Sequence, residues 1–474
     1  MSARILKETA EYTASPLSKI FQKSLESGQI PMDWKLANIT PIFKKGSKFD
    51  VNNYRPISLT CIVCKIMESV IKDHIMDHLE KELLLIASQH GFLRKKSCLT
   101  NLLSYLEKVS KMLDDGENID LIYLDYAKAF DKVSHTKLKT VLESHGITGK
   151  TLVWIKEWLS NRKQRVLLNN KSSSWQDVES GVPQGSVLGP VCFVIFINIL
   201  DLVIKDPQTF LSKFADDTKI GRSIKNKSDS LNLQESLNCL SQWCTDWEMK
   251  FNESKCKVLH IGKNNERFDY SLNGLTLEKV EYEKDIGVTI QSDLKPTIQC
   301  LNAAKKANQI IGQMSRSFTY RDKHVWINLY KSYVRPHLEY CIQAWCPWTQ
   351  KDKEILENVQ KRVIRMTSGL SSSTYEEKLK EVGLTTLEER RERGDMIEVW
   401  KILHNKEDVD PATWFKLASE HSEQETRMSS DPWNVKIPTS KTEARKHFFS
   451  VRTPAKWNNL PREIKSAEML ISFI

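Results

Sequence analysis

The spacing of hydrophobic residues along the chain alternates between the periods of strands and helices. Between residues 34 and 265, apolar runs of strand length are interleaved with amphipathic helical segments. The run 118–126 is apolar on both faces in its middle, which is typical of a buried strand. Residues 186–203 predict a buried helix with Pro190 in its early part. This mixture predicts the α+β fold class.

Two segments of this region carry the pattern of β-hairpins. Residues 164–178 place an Asn-Asn pair between two strand-like runs, which is a favourable turn sequence. Residues 210–220 form the second hairpin candidate, with Asp216 and Asp217 at its tip. Two carboxylates are therefore expected at a turn that is flanked by β-type sequence.

Helical spacing dominates from about residue 295 onward. Apolar stripes predict three helices before residue 370. The stripes are Leu301, Ala304, Ile311 and Met314; Val325, Leu329 and Tyr333; and Ile355, Val359 and Val363. Residues 371–474 are less regular, and their pattern indicates no function.

Composition and charge narrow the class of protein. The chain has 474 residues, 40% of them hydrophobic and 27% charged, so it can build ordinary globular cores and is not a disordered or fibrous protein. Its net charge of +10 is compatible with a polyanionic partner. The most apolar run, 191–204, contains Asn198 and Asp201 and is shorter than the roughly 20 residues of a membrane span.

The cysteines are expected to be thiols rather than disulfides. The N-terminus carries charges where a signal peptide would be apolar, which favours an intracellular, reducing compartment. Cys61 and Cys64 lie three residues apart on a predicted helix and are interpreted as core thiols. His337, Cys341 and Cys346 have no obvious fourth ligand, so packing is favoured over a zinc site there.

Three carboxylates are the strongest candidates for chemistry. Asp125 lies at the end of the predicted buried strand, and Asp216 and Asp217 lie in the second hairpin. Adjacent carboxylates cost stability unless a cation compensates their charge. Mg²⁺ prefers such oxygen ligands, and two ions can stabilise both the attacking and the leaving oxygen of a phosphoryl displacement. An Asp-Asp pair alone is typical of a solvated turn, so the surrounding motifs decide.

The motifs LDYAKAFDKV (124–133), VPQGSVLGP (182–190) and FADD (214–217) occur in this order. They resemble the motifs of reverse transcriptases from non-LTR retrotransposons of the LINE, jockey-like kind. The resemblance runs from about residue 34 to 287 and continues more loosely toward the C-terminus. It implies a right-hand polymerase with fingers, palm and helical thumb, plus a C-terminal, mostly helical extension.

The resemblance also implies a division of the chain and a function. Residues 1–33 would be an N-terminal helical segment, 34–265 the fingers and palm, 266–370 a primer-grip connection and helical thumb, and 371–474 an extension of unknown role. The implied reaction is RNA-directed DNA synthesis with two Mg²⁺ ions, or Mn²⁺ instead. The implied partners are an RNA template, a DNA primer and deoxynucleoside triphosphates, without a membrane. The nucleus is the implied location, with the cytoplasm as the alternative.

The resemblance assigns roles to individual residues. Asp125, Asp216 and Asp217 would be the catalytic, metal-binding carboxylates. Phe130 would collide with a 2′-hydroxyl and so select deoxynucleotides, whereas Asp131 is interpreted as structural. Contacts to the incoming nucleotide are implied for Lys44, Lys45, Arg55, Tyr126, Phe130, Pro183, Gln184, Gly185 and Lys255.

Further roles concern the nucleic acid. Residues near the template would be Gln89, Gly91, Phe92 and Arg94, although Leu93 interrupts the pattern that many relatives show. The segment KDIGV (284–288) resembles the primer grip. Cations that could follow the phosphates of the duplex are Lys305, Lys306, Arg316, Arg321 and Lys323.

Two other functions remain open at this point. The chain ends at MLISFI (469–474), and no nuclease domain fits before residue 34, so it could be a truncated, inactive remnant that only binds nucleic acid. A metal-dependent nuclease built on the same carboxylates is the third hypothesis. The order of the motifs argues against the nuclease, and the retention of all three aspartates favours the polymerase.

Overall fold

The computed structural model describes residues 2–418 and 431–470, which form an α+β protein as predicted. Residues 471–474 lie outside the described residues. They belong to the segment that suggested a truncated chain. The strands are β1 (Leu36–Phe43), β2 (Tyr54–Leu59), β3 (Asn118–Leu124), β4 (Arg162–Leu168), β5 (Lys171–Ser172), β6 (Gln176–Val178), β7 (Phe210–Phe214), β8 (Asp217–Ile224), β9 (Lys257–Ile261), β10 (Ser271–Leu272), β11 (Leu275–Thr276), β12 (Glu278–Val280), β13 (Tyr282–Asp285) and β14 (Val288–Gln291).

The central sheet has the strand order β12-β9-β3-β8-β7. Its middle strand β3 pairs antiparallel with β8 on one side and with β9 on the other. The predicted burial on both faces is confirmed, because Ile119, Leu121 and Ile122 are fully buried. Strands β7 and β8 form the predicted second hairpin, and they pair from Phe210 opposite Gly221 to Phe214 opposite Asp217.

A second sheet lies beside the first and contains β2, β1, β4 and β5 in that order, with β6 also paired to β4. Strands β1 and β2 form an antiparallel ribbon, whereas β1 and β4 run parallel. The predicted first hairpin is confirmed, and both Asn169 and Asn170 have positive φ, as a tight hairpin turn requires.

Helices before residue 250 cover the two sheets. The predicted buried helix is α9, which has Pro190 near its start, and buried residues line it on all sides before it continues as a 3₁₀ segment, Ile199–Val203. The helices are α1 (Ala3–Glu8), α2 (Ala10–Ser27), α3 (Met32–Lys35), α4 (Ile62–Lys81), α5 (Cys98–Asp114), α6 (Ala129–Lys132), α7 (His135–Ser144), α8 (Gly149–Leu159), α9 (Gly189–Asn198) and α10 (Lys227–Asp246).

The remainder of the described chain is mostly helical, as predicted from residue 295 onward. Its helices share one hydrophobic core with α5 and with the outer face of the central sheet. They are α11 (Thr297–Ser317), α12 (Lys323–Leu329), α13 (Pro336–Glu339), α14 (Gln350–Met366), α15 (Tyr375–Glu381), α16 (Leu387–Leu403), α17 (Pro411–Trp414), α18 (Glu443–Lys446), α19 (Phe449–Arg452), α20 (Pro454–Asn458) and α21 (Arg462–Lys465).

One of the predicted helical stripes faces the wrong way. Val325 and Tyr333 are 46% and 60% exposed, whereas Trp326 and Tyr330 are fully buried. Two apolar stripes with the same spacing lie one residue apart in this segment, and the larger side chains occupy the core. A π-helical turn at Tyr330–Val334 follows α12 and continues the buried stripe.

A buried carboxylate joins three elements below the second sheet. Glu68 of α4 is fully buried, and its Oε2 accepts hydrogen bonds from the backbone N–H groups of Val187 (2.7 Å) and Leu188 (3.1 Å). Its Oε1 accepts from the Trp158 indole of α8 at 3.2 Å and from the Cys64 thiol at 3.3 Å. Glu68 therefore fixes the start of α9 and the preceding loop to α4 and α8.

The C-terminal part of the chain is tied back to α5 by buried polar contacts. Glu107 accepts hydrogen bonds from Arg445 (2.6 Å) and Ser450 (2.5 Å). Asp114, at the end of α5, accepts from the backbone N–H and the hydroxyl of Thr442. The extension therefore packs directly on the helix that covers the central sheet.

No helix in the described ranges combines the length and the apolar character needed to cross a bilayer.

We expect Glu68→Gln to lower the thermal stability of the protein. The amide oxygen of the variant can replace only one of the two carboxylate oxygens. The NH₂ group then replaces the other and faces a donor, either the indole N–H of Trp158 or a backbone N–H, so neither donor of that pair has an acceptor. An unsatisfied buried donor costs about 1–3 kcal/mol, so in a chain of this length the unfolding midpoint should fall by about 1–3 °C. Glu8→Gln, at an exposed helix pair with Arg4, is the matched control and should leave the midpoint unchanged. Equal midpoints for both variants would contradict the role of Glu68.

Candidate active site

The register of the central sheet brings the three predicted carboxylates together. Leu124 of β3 pairs with Thr218 of β8, so Asp125 follows β3 next to the start of β8 at Asp217. Asp216 lies one residue earlier, in the two-residue turn between β7 and β8. Asp217 is therefore the first residue of a strand rather than the tip of the hairpin. The register thus places Asp125 beside the acidic pair, and its charge acts on Asp216.

Electrostatics at this edge of the sheet are those of an acidic cluster. Burial raises the pKa of Asp216, and the charge of Asp125 raises it further. Removal from water and the charges of Asp216 and Asp285 raise the pKa of Asp217 to about 6, although this side chain still reaches solvent at the open side of the cleft. Carboxylates that oppose each other's ionisation in this way are suited to bind a cation.

Asp125 is held by a lysine. The Lys255 ammonium donates to Asp125 Oδ1 at 3.2 Å, and both side chains are partly exposed. The backbone carbonyl of Asp125 accepts from the N–H of Asn252 at 2.7 Å, which fixes the loop before β9 beside the strand end. Within the described ranges, no three acidic, imidazole or thiol groups already converge at metal-binding distance. In this structure Asp125 is thus paired with Lys255 rather than gathered with Asp216 and Asp217 into a ready-made metal site.

Two cations face the acidic cluster from the β1–β2 ribbon. The charges of Arg55 and Lys44 both lower the pKa of Asp216 and so oppose the effect of burial. Arg55 pairs with Ile42, and Lys44 lies two residues beyond Ile42, so both side chains share one face of the ribbon. Lys45 follows in the bend after β1, where the alternation of a strand no longer applies. The charges that act on Asp216 from the ribbon are those of Arg55 and Lys44.

Phe130 stands between two other aromatic rings beside the site. It stacks on Phe193 of α9 with 4.3 Å between ring centroids and meets the edge of Phe92 at 6.2 Å. Its ring remains partly exposed. Phe92 is 53% exposed and has positive φ, and no sequence pattern indicated its contact with Phe130. The Tyr126 ring is buried against Phe251, so Tyr126 can offer only backbone atoms to the cleft.

The PQG segment contacts both the first helix after β3 and the ribbon. The Gln184 side chain donates to Asp131 Oδ1 at 3.0 Å, and its backbone carbonyl accepts from the N–H of Ser58 in β2 at 2.7 Å. Gly185 has φ +118°, and a Cβ atom there would lie 2.6 Å from the Ser58 carbonyl oxygen. Gly185 is thus required for the close approach of β2, and Asp131 orients Gln184.

The KDIGV segment forms the turn between β13 and β14 on the far side of the cleft. Asp285 makes a buried ion pair with Lys219 of β8 at 2.5 Å, two residues after Asp217. Tyr340 donates to the Ile286 carbonyl at 2.9 Å and braces the turn. A cavity of about 110 Å³ is lined on one side by Asp125, Asp217 and Lys255 and on the other by Glu283, Lys284, Asp285 and Ile286.

The residues interpreted as template contacts separate into two groups. Gln89 and Gly91 are buried against the turn that carries Asp216. Arg94 lies at the surface and pairs with Asp77 (2.6 Å) and with other acidic residues of α4. No relation between Gln89 and the acidic turn could be seen in the sequence, because the two segments meet only in the folded chain.

The basic residues of the helical region also differ from one another. Lys305, Lys306 and Arg316 are exposed on α11. Arg321 lies over the Trp326 ring, and Lys323 pairs with Glu381 at 3.4 Å. Lys305, Lys306 and Arg316 are therefore accessible to a polyanion. Arg321 and Lys323 instead contact neighbouring helical residues.

Comparison with known proteins identifies the family. The sequence profile described as "Reverse transcriptase (RNA-dependent DNA polymerase)" matches residues 42–308, more than half of the chain. This chain belongs to the reverse transcriptase family. The matched region contains the three carboxylates, the ribbon cations, the PQG segment and the KDIGV turn, so the predicted resemblance is confirmed on the residues that suggested it.

Curated relatives come from retrotransposons. The RNA-directed DNA polymerase from mobile element jockey of Drosophila melanogaster is 28% identical over 370 residues, which cover 74% of this chain and 40% of the relative. The probable RNA-directed DNA polymerase from transposon BS of the same species is 26% identical over 373 residues, with the same coverage of both chains. The chain thus spans less than half the length of these relatives.

Among solved structures, a telomerase from Candida albicans in complex with a fragment of telomeric RNA has 9% identity and a TM-score of 0.44, covering 78% of this chain and 68% of that one. An apo telomerase from Candida tropicalis has 12% identity and a TM-score of 0.43 and covers 74% and 62%.

We expect the acidic cluster of the metal-free reverse transcriptase to destabilise the fold as pH rises. Asp217 has its folded pKa raised from 3.8 to about 6, so the stability held by its protonated form is lost between about pH 4 and 6. Asp217→Asn does not titrate in this interval, so it does not lose stability for this reason. In EDTA, the unfolding temperature of the variant minus that of the wild type should therefore increase across this interval.

The matched control is Asp269→Asn, at an exposed pair with Lys279, whose difference from the wild type should not change with pH. Added Mg²⁺ should stabilise the wild type more than Asp217→Asn. A difference curve for Asp217→Asn that stays flat from pH 4 to 6 would refute the electrostatic account.

Proposed function

We propose that this chain is the polymerase portion of a non-LTR retrotransposon reverse transcriptase. It would extend a DNA primer on an RNA template by adding deoxynucleotides. The observation that carries the proposal is the meeting of Asp125 with Asp216 and Asp217 at one edge of the central sheet, opposite two cations of the ribbon. Family membership supports the same reaction. The nucleus is the proposed location.

The three aspartates would hold two Mg²⁺ ions, with Mn²⁺ as a substitute. The residues fit such ions, because they are hard oxygen donors whose mutual repulsion a cation relieves. When bound, the ions would supply charge stabilisation for the attacking primer oxygen and for the departing pyrophosphate. Asp125 is available for this role once it releases Lys255, and Lys255 is then free to face the pyrophosphate.

The other site residues would bind and orient the nucleotide. Lys44 and Arg55 would bind the triphosphate, since a guanidinium gives bidentate contact and an ammonium a point charge. Lys45, in the bend after β1, is the second candidate for this contact. Gln184 would meet the sugar or base in the orientation that Asp131 sets. The backbone of Tyr126 and Gly185 would line the same pocket.

Nucleic acid would lie across the surface between the ribbon and the helical region. The KDIGV turn would support the primer end, because it lies directly across the cavity from Asp125 and Asp217. Exposed Lys305, Lys306 and Arg316 would contact phosphates of the duplex. We retain residues 34–265 as fingers and palm and 266–370 as connection and thumb, with 1–33 and 371–474 as flanking segments.

We expect Asp216→Asn to abolish primer extension on an RNA template with Mg²⁺. Loss of one ligand charge removes stabilisation from the transition state, so incorporation should fall by at least about 10³-fold. Binding of the RNA–DNA duplex should stay within about twofold, because backbone contacts carry it. Asp269→Asn should behave like the wild type in both measurements.

The same assay separates the alternative functions. A wild-type chain that binds the duplex in a salt-sensitive manner but incorporates nothing would be the inactive remnant. Degradation of the template without extension would indicate a nuclease. Unchanged extension by Asp216→Asn would refute the assigned role of this residue.

We expect Phe130→Val to admit ribonucleotides. The Phe130 ring is held by Phe193 and Phe92, so it cannot easily swing away from a 2′-hydroxyl. The smaller side chain should lower the preference for deoxynucleotides by about tenfold or more, measured as the ratio of the two kcat/KM values. Phe318→Val, in the helical region, is the matched control. An unchanged ratio in Phe130→Val would remove the steric argument.

A further inference from the structure

The turn that carries Asp216 is flanked by a chain segment from the loop before α5. Lys213 of β7 donates its backbone N–H to the Ser88 carbonyl at 2.8 Å, and its own carbonyl accepts from the N–H of His90 at 2.9 Å. The segment thus lies along β7 like a short additional parallel strand, with Gln89 opposite Lys213. This backbone pairing places the Gln89 side chain at the end of β7.

The Gln89 carboxamide contacts the turn through both of its polar atoms. The side chain is fully buried. Its Oε1 accepts hydrogen bonds from the N–H groups of Ala215 at 2.9 Å and of Gly91 at 2.7 Å. Its Nε2 donates to the Ala215 carbonyl at 3.4 Å. A single side chain therefore binds both backbone polar groups of the residue immediately before Asp216.

Ala215 has the strained backbone conformation of this turn. Its φ is +55°, whereas Asp216 has no positive φ. Positive φ costs a non-glycine residue about 1–2 kcal/mol, and two-residue hairpin turns with positive φ at the first position usually have glycine there. Gly91 allows the close approach, because a Cβ atom at this position would lie 2.3 Å from the Ala215 nitrogen.

We propose that Gln89 is a positioning residue of the reverse transcriptase reaction. It holds Ala215 at positive φ and thereby fixes the directions of the Asp216 and Asp217 side chains. This inference rests on the proposed function, and it replaces the interpretation of Gln89 as a template contact. Its full burial leaves no surface with which to meet nucleic acid.

The test compares Gln89→Met with Asn101→Leu. Each variant replaces a buried carboxamide by an apolar side chain of similar size. Asn101 donates to the Lys213 carbonyl at 2.9 Å and to the Ser212 hydroxyl, so it supports the same strand without contact to the turn. Both variants are expected to lose stability, and only Gln89→Met is expected to loosen the turn.

The first measurement does not need activity. Amide hydrogen exchange of the 210–220 peptide in the metal-free chain should become about tenfold faster in Gln89→Met, beyond the change seen in Asn101→Leu. Gln89→Glu keeps an acceptor for the two N–H groups but turns a charged oxygen toward the Ala215 carbonyl, so it should also speed exchange, although less than Gln89→Met does. Ala215→Gly, added to Gln89→Met, should bring the exchange rate of this peptide part of the way back to the wild-type rate. Glycine adopts positive φ without strain.

The second measurement is the Mg²⁺ concentration that gives half-maximal primer extension. It should rise by about fivefold or more in Gln89→Met, stay near the wild-type value in Asn101→Leu, and return toward that value with Ala215→Gly. Equal exchange and equal Mg²⁺ dependence in the two single variants would overturn the proposal.

If the wild type extends no primer, the proposed function fails, and the exchange measurement still decides whether Gln89 holds the turn. If Gln89→Met does not fold, Gln89→Glu with and without Ala215→Gly supplies the same comparison.

Discussion

The antiparallel pairing of β3 with β8 is the constraint on which the rest of the protein depends. A side-chain period of two means that a shift by one residue would turn Asp125 away from Asp217 and exchange the residues that pack on the two buried faces of β3. The register is fixed on both sides of β3, because β9 pairs with its other edge and carries Lys255 just before its start. The same hydrogen bonds that build the central sheet therefore determine the distances within the acidic cluster.

Charge at this edge of the sheet is balanced by segments that come from distant parts of the chain. Lys44 and Arg55 approach from the ribbon, Lys255 from the loop before β9, and the Lys219–Asp285 pair from the side of the KDIGV turn. Each cation acts on a carboxylate that is already partly removed from water, so small movements of the ribbon or the turn would alter the pKa values of the acidic cluster. The site is thus sensitive to the relative placement of the two sheets.

Much of the fold, including the strand end and the hairpin that carry the three aspartates, could be predicted from the sequence. Buried strands and hairpins have local signals, and the run around Ile122 and the Asn169-Asn170 turn behaved as predicted. The face of α12 was predicted wrongly, because two apolar stripes overlap and only packing decides between them. The contacts of Gln89 with Ala215 and of Lys255 with Asp125 could not be predicted at all, since they depend on tertiary register and carry no periodic pattern.

The attachment of the C-terminal part to α5 has a consequence for biosynthesis. Glu107 is buried, and its partner Arg445 follows 338 residues later in the chain. A ribosome adds about 5–20 residues per second, so Arg445 is synthesised on the order of half a minute after Glu107. During that interval the apolar surface that α5 and the central sheet share with the C-terminal helices is incompletely covered. Chaperones that shield such faces would therefore be expected to act on this polypeptide until its last helices emerge.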